Sequence, residues 1–411
     1  MGILKNLARR LSRQSKFGSN EGALMPAYAR LNTQFTKGQG SRLWDQNGRE
    51  YLDALGGIAV CFLGHSHPKV NHAISEQASL LMHVSNLFEI PQQAELGLRF
   101  CEISGMDNAF FTNSGTEANE AAIKLTRLYA KQKNVDAPIV ITADGSFHGR
   151  SIGALSATGN LAIKEDFKPL LEGFEHVPFN DIEAIQAYAN NPNVVAIMIE
   201  PIQGEAGVII PDKGYLKAIR KLCDKHGWLF IVDEIQTGIG RTGKWFGFQH
   251  EAIQPDILTS AKALGNGYPI GVCAARGHAA KLLSPGGHGS TFGGNPLACA
   301  VGLMVINTVE EEALVNKAEE LGSKLKQALQ QQLSKLKTVT QVRGKGLMLA
   351  VQLSHLHEGL AQKFLDAGLV VNITGAGKII RLLPSVIITE QEISQIASIC
   401  HSVIEAAENG A

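Results

Sequence analysis

The sequence predicts an α/β fold: a large domain with a mostly parallel sheet flanked by helices, then a smaller α+β domain. Three observations predict it. From about Asn108 to Gly271, short apolar runs such as Val194–Ile199 and Leu229–Val232 alternate with amphipathic helical stretches. Runs of that kind are too short for helices and suit strands buried on both faces and joined by helical crossovers. Asp233 stands where the Leu229 strand should end, and a second short strand, Asp256–Thr259, delivers Lys262 into a glycine-rich loop. Side chains so placed can converge in the crevice at the carboxyl edge of a parallel sheet. Beyond Val339, strands and helices stop alternating and segregate, as in a separate α+β layer.

The chain has 411 residues, with 38 basic and 38 acidic side chains and a formal net charge of zero. A single core stops growing at roughly 250–300 residues, so two domains are expected. Zero net charge argues against nucleic acid or a membrane surface as the main partner. No apolar run approaches the ~20 residues needed to span a bilayer. The cysteines (Cys61, Cys101, Cys223, Cys273, Cys299, Cys400) are scattered without a C-x-x-C pair and read as reduced thiols of a cytoplasmic protein. The expected divisions are a poorly ordered basic extension (1–24), an N-terminal segment contributing to the small domain (25–75), the large domain (76–311) and the small domain (312–411). The extension is rich in Arg and Ser and free of acids before Glu21, a composition that also suits an organelle import signal.

Ser41–Leu55 alternates around Asn47-Gly48, a strong hairpin signal. His65 and His67 lack a third metal ligand nearby and read as a turn before the helix that Pro68 opens, so no metal is expected. Helical patterns follow at Lys69–His83 and Gln92–Ile103. Ala109–Thr112 is a strand, and Ser114 with Glu117 forms an S-x-x-E capping box that opens a helix reaching about Lys131. That N-terminus, with Gly115 and the hydroxyls of Ser114 and Thr116, serves equally as a plain cap or a phosphate site. After a strand at Pro138–Thr142 come Phe147, His148 and Arg150 among glycines. Phe147 can stack on a flat ring or fill core; Arg150 can grip a carboxylate through two parallel bonds or pair at the surface; His148 reads as structural.

Lys213–His226 is an amphipathic helix leading into the Asp233 strand. Gly238, Gly240 and Gly243 satisfy the G-x-G-x-x-G fingerprint, but the aromatic stretch after Lys244 is a poor helix start, which argues against a dinucleotide. Pro296 opens a helix to about Glu311, and Ala313–Lys337 is another. Strands are expected within Val339–Val351 and Leu369–Ile388, and a helix at Glu358–Ala367. A last helix begins at Thr389, with Glu392 completing a capping box. Arg381 lies between apolar residues of its strand and demands a partner or a ligand.

Asp233 and Lys262 together suit pyridoxal 5'-phosphate (PLP), which needs a lysine amine to hold it and an acid partner for its ring nitrogen. A lysine freed by the incoming amine can then move the proton of the substrate carbon. The stretches LDALGGIAV, SNLFEIP, FFTNSGTEANEAAIK, GSFHGRS, EPIQGEAGV, LFIVDEIQTGIGRTG, TSAKALGNGYPIG and STFGGNPLA resemble the class III aminotransferases of PLP fold type I. The resemblance covers roughly Met25 to Ala407 and is nearest to the members that act on N-acetylornithine.

The resemblance implies catalytic roles for Lys262, which holds the cofactor, and Asp233, which meets its ring nitrogen. It implies that Gln236 approaches the ring hydroxyl, that Phe147 lies on the ring face and that Gly115 with Thr116 holds the phosphate, beside Ser114. Thr291 would reach the phosphate of a neighbouring subunit, which implies a homodimer. Arg150 would hold the substrate carboxylate far from the ring, Arg381 the near carboxylate of glutamate, and Glu205 would pair with Arg381 when the other donor is bound. Ser290 would contact the acyl-amino end. The implied reaction takes N-acetylornithine and 2-oxoglutarate to N-acetylglutamate 5-semialdehyde and glutamate. Succinylornithine, ornithine and 4-aminobutyrate aminotransferases, an aminomutase of the same fold and a non-catalytic binding protein remain as alternatives.

Overall fold

The computed structural model describes residues 24–409. The expected basic extension, but for Leu24, lies outside the described residues. Residues 24–34 belong to a unit of their own (Met1–Gln34) and contain no helix or strand. Phe35–Ala411 forms the second unit.

That second unit opens with antiparallel strands β1 (Phe35–Gln39), β2 (Arg42–Asp45) and β3 (Glu50–Asp53). The Asn47-Gly48 turn joins the last two, and the Asp45 carboxylate accepts from the Asn47 and Arg49 N–H groups at 2.8 and 3.0 Å. The central sheet follows, from β4 (Asn108–Thr112), β5 (Ile139–Ala143), β6 (Phe174–Val177), β7 (Val194–Ile199), β8 (Leu229–Asp233), β9 (Ile257–Ser260) and β10 (Gly271–Ala275). Its order is β4-β10-β9-β8-β7-β5-β6. All neighbours are parallel except β10, which runs antiparallel to β4 and β9. A loop rather than a helical crossover links β9 to β10, and only an antiparallel neighbour can be reached that way.

Helices α1 (Pro68–Leu80), α2 (Pro91–Ser104), α3 (Gly115–Gln132), α4 (Ile152–Ala157), α5 (Ile182–Gln186) and α6 (Tyr215–His226) are interleaved with these strands. Both sheet faces are covered. Leu229 and Ile231 of β8 join one apolar cluster, with Ala121, Ala122 and Leu125 of α3. Phe230 and Val232 join another, with Leu216 and Ile219 of α6. Successive strand residues point to opposite faces, so a strand covered on both sides must be apolar throughout.

Helices α7 (Pro296–Glu311) and α8 (Leu314–Leu333) lead to β11 (Val339–Lys345), β12 (Met348–Leu353), α9 (Leu360–Asp366), β13 (Leu369–Val370), β14 (Asn372–Thr374), β15 (Ile379–Leu382) and α10 (Glu390–Asn409). The order β11-β12-β15-β14 makes an antiparallel sheet, whereas β13 pairs parallel with β3. The α10 capping box is reciprocal: Glu392 N–H donates to Thr389 Oγ1 at 3.2 Å, and Thr389 N–H to Glu392 Oε2 at 2.9 Å.

Candidate active site

Asp233 is in register with Thr259 of β9, so the end of β8 and the loop just beyond β9 leave the sheet at the same edge. A cavity of about 390 Å3 opens there, and both Asp233 and Lys262 line it. Ser114, Gly115 and Thr116 border it from the start of α3, Phe147 and Arg150 from the loop after β5, and Gln236 from the turn after β8.

Asp233 is held rigidly. Its Oδ2 accepts from Asn119 Nδ2 and His148 Nδ1, both at 2.8 Å, and its Oδ1 accepts from the Ile235 N–H at 3.0 Å. Asn119 in turn accepts from Thr259 Oγ1 at 2.7 Å, tying α3 to β9 beneath the site. A buried carboxylate with donors on both oxygens keeps one orientation.

Lys262 occupies the left-handed region (φ +44) at the start of a short 3-10 turn. That conformation costs an L residue about 1–2 kcal/mol and is the kind of strain found where a side chain must be aimed. Burial pushes the Lys262 amine below its ordinary value and nearby Arg381 adds to this, while Glu205, Asp233 and Glu200 oppose it. A lowered amine is a better nucleophile and proton carrier near neutrality.

The start of α3 faces the same cavity. Ser114 Oγ accepts from the Glu117 N–H at 3.3 Å, which leaves the N–H groups of Gly115 and Thr116 clear of the cap. The expected box at this end is half made: the Glu117 carboxylate accepts from the Asn113 N–H at 2.7 Å instead of from Ser114. Asn113, not Ser114, turns its N–H towards the helix here. Thr116 Oγ1 lies 2.9 Å from Ser151 Oγ, which donates to Glu120 Oε1 at 2.6 Å. Gly149 packs so closely on Thr116 that a Cβ there would fall 2.2 Å from Oγ1, and its φ of +136 also excludes a side chain.

Arg381, fully buried in the middle of β15, donates from NH1 to Glu205 Oε1 at 2.7 Å and to Gln236 Oε1 at 3.3 Å. Burial alone would push the Glu205 carboxyl up, but the Arg381 guanidinium outweighs it and holds Glu205 below the usual value. Glu200, at the end of β7, accepts from the Phe147 N–H at 3.0 Å and the Gly204 N–H at 3.2 Å. It fastens the Phe147 loop to the turn that carries Glu205, and burial pushes its own carboxyl up to about 7.

Four of the expected residues do not line this cavity: Arg381 and Glu205, which contact Gln236 of its wall, and Ser290 and Thr291, which stand apart. Ser290 lines a second cavity, of about 630 Å3, and reaches the first only through Asn113, whose Nδ2 is 3.3 Å from Ser290 Oγ. Thr291, next to it, is exposed. Nor does the Gly238–Gly243 fingerprint open a helix: its glycines at 240 and 243 take φ +88 and +86, and a 3-10 turn follows at Gly247–Glu251. His65 is turned to Asp53 at 2.6 Å, and among the described residues no cluster of His, Cys, Asp or Glu is arranged to hold a metal ion.

The family model for aminotransferase class-III matches residues 25–404. The chain belongs to the class-III aminotransferases. It is 48% identical over 385 residues to acetylornithine aminotransferase 1 of Bordetella bronchiseptica, covering 93% of this chain and 98% of that protein. The Nitrosomonas europaea acetylornithine aminotransferase is 46% identical across 91% and 95% of the two chains. Among solved structures, the ornithine aminotransferase of Toxoplasma gondii superposes with a TM-score of 0.94 at 33% identity over 99% of both chains. The acetylornithine aminotransferase of Elizabethkingia anophelis does so with 0.84 at 36%, over 94% of this chain and 97% of that one. Enzymes of this family depend on PLP, and this chain is such an aminotransferase.

Three parts of this class-III aminotransferase site went unread in the sequence. His148, expected as structural, touches Asp233 directly. Asn119 follows Gly115 by one helical turn, so a polar residue within the Ala118–Ala122 stripe was the available signal. Val60 enters the cavity wall because Gly56, Gly57, Ile58 and Ala59 all take positive φ. Nothing in an Ile-Ala pair announces that.

Proposed function

We propose that this aminotransferase moves the terminal amine of N-acetylornithine to 2-oxoglutarate, giving N-acetylglutamate 5-semialdehyde and glutamate. The observation that carries this reading is the pairing of buried Arg381 with Glu205, both in contact with Gln236, which lines the cavity shared by Lys262 and Asp233. A pocket serving both substrates must meet a carboxylate near the reacting carbon in glutamate and an uncharged chain there in the donor. A buried cation with a removable anion answers both needs, since an unpaired buried guanidinium costs several kcal/mol.

The residues fit PLP: an anionic oxygen, an amine, an aromatic face and a helix N-terminus border one cavity. When bound, the cofactor supplies an electron sink for loss of a proton from the substrate carbon. Asp233 would keep a proton on the ring nitrogen, and Lys262 would carry the proton to and from the substrate carbon. Gln236 would meet the ring hydroxyl, Phe147 would lie against the ring, and Ser114, Gly115 and Thr116 would hold the phosphate. Arg150 takes the far carboxylate and Ser290 the acyl end. Thr291 completes the phosphate site of a partner in a homodimer. Residues 76–311 supply the cofactor side, and residues 312–411 supply Arg381.

We place the enzyme in the cytoplasm, acting on small amino and 2-oxo acids; among the described residues no helix is long and apolar enough to cross a membrane. The names of the curated relatives support the acylated donor. Likeness to the ornithine aminotransferase fold supports free ornithine as a second reading. Catalytic efficiency across acetylornithine, succinylornithine, ornithine and 4-aminobutyrate decides between them. Acetylornithine should lead ornithine by about tenfold or more, the worth of one good polar contact. An ornithine preference would replace the first reading by the second.

A further inference from the structure

Arg381 and Glu205 differ in their freedom to move. The Arg381 side chain is wholly buried, whereas that of Glu205 is 33% exposed and can rehydrate its carboxylate on turning away. Arg381 would then keep only neutral partners. One is Gln236 Oε1, at 3.3 Å from NH1; the other is Asn372 Oδ1, at 2.7 Å from NH2. Asn372 and Arg381 are direct cross-strand partners in β14 and β15, so a backbone ladder fixes their spacing. On the same face of β14, the Thr374 hydroxyl donates to the backbone carbonyl of Glu205. One short strand therefore holds the guanidinium directly and fixes the backbone from which its anion swings.

We propose that Asn372 is a positioning residue that keeps the Arg381 guanidinium in place to receive a substrate carboxylate whenever Glu205 has turned away. The proposal rests on the reading of Arg381 as the near-carboxylate site for glutamate and 2-oxoglutarate. The residue type matters. An amide oxygen orients the guanidinium fork without cancelling its charge, so the cation stays available to the substrate. A carboxylate at the same place would act as a second Glu205 that cannot leave.

The test measures both half-reactions of the holoenzyme for Asn372→Ala, Asn372→Asp and Arg381→Gln. Asn372→Ala should raise KM for 2-oxoglutarate and glutamate about tenfold or more, and leave that of the acylated donor within about twofold, as loss of one charge-assisted hydrogen bond implies. Asn372→Asp, a near isostere that preserves the strand, should raise the dicarboxylate KM further and spare the donor. Equal changes in both half-reactions, or an unchanged dicarboxylate KM in both Asn372 variants, would overturn the proposal. Arg381→Gln separates this failure from that of the functional reading. If it leaves the dicarboxylate KM at the wild-type value, Arg381 is not the carboxylate site. If it raises that KM while the Asn372 variants do not, the site stands and the role of Asn372 falls.

Discussion

Asp233 accepts from Asn119, His148 and the Ile235 N–H and is 4% exposed, whereas Glu205 sits on a turn with a third of its side chain open and Arg381 as its charged partner. Both are carboxylates of one site. The first ends a central strand covered on both faces, and the side chains that donate to it, Asn119 and His148, are themselves buried. The second follows Gly204, where a Cβ would fall 2.2 Å from Gln236 Oε1, in a segment anchored to Glu200 and Thr374 by its backbone alone. A charge that serves the same chemistry in both half-reactions can be fixed. One that must give way to a substrate carboxylate has to be released without moving the scaffold.

The largest test of that contrast is Asp233→Ala, which should lower turnover in both half-reactions by about a thousandfold, while Asp233→Glu retains much more. Single-turnover rates check it, and equal activity of the two variants would remove the role assigned to Asp233. Next come Asn119→Ala and His148→Ala. Each strips one donor from Asp233 and should slow both half-reactions about tenfold and to the same extent. A selective effect on one substrate would place these residues with Glu205 instead. Glu205→Ala should do the opposite, raising the KM of the acylated donor several-fold while glutamate stays near normal. Should both fall together, Glu205 is as fixed a part of the site as Asp233.

The smallest effect concerns pH. A carboxyl held below its usual value is ionised above that value and loses its pairing only as pH falls through the lowered one. Arg381 holds Glu205 in that condition. The ratio of the acylated donor's KM between wild type and Glu205→Gln should therefore stay constant from about pH 8 to about pH 5.5. A ratio that converges to one within that range would show Glu205 already protonated there.

What could be read in the sequence follows from range. The unbroken apolar run of β8, the strand-end position of Asp233, the loop position of Lys262 and the capping box of α10 are local patterns, and each appears as a local pattern should. Arg381 announced its need for a partner through its apolar neighbours. The resemblance, not spacing, pointed to Glu205. The donors on Asp233 were hidden because they come from α3 and from the loop after β5, and only packing brings those beside β8. Asn372 was hidden for the same reason: its meaning lies in the β14–β15 register, set by the turn through Gly375–Gly377. The left-handed run at Gly56–Ala59 has a signal only in its two glycines.

The account as a whole requires that Lys262 and Asp233 serve a single flat ring. Borohydride reduction of the purified protein followed by peptide mapping tests this most directly. The protein should start yellow, lose its visible absorption on reduction and carry the pyridoxyl mass on Lys262. A colourless protein that cannot take up PLP, or a label on any other lysine, would contradict it.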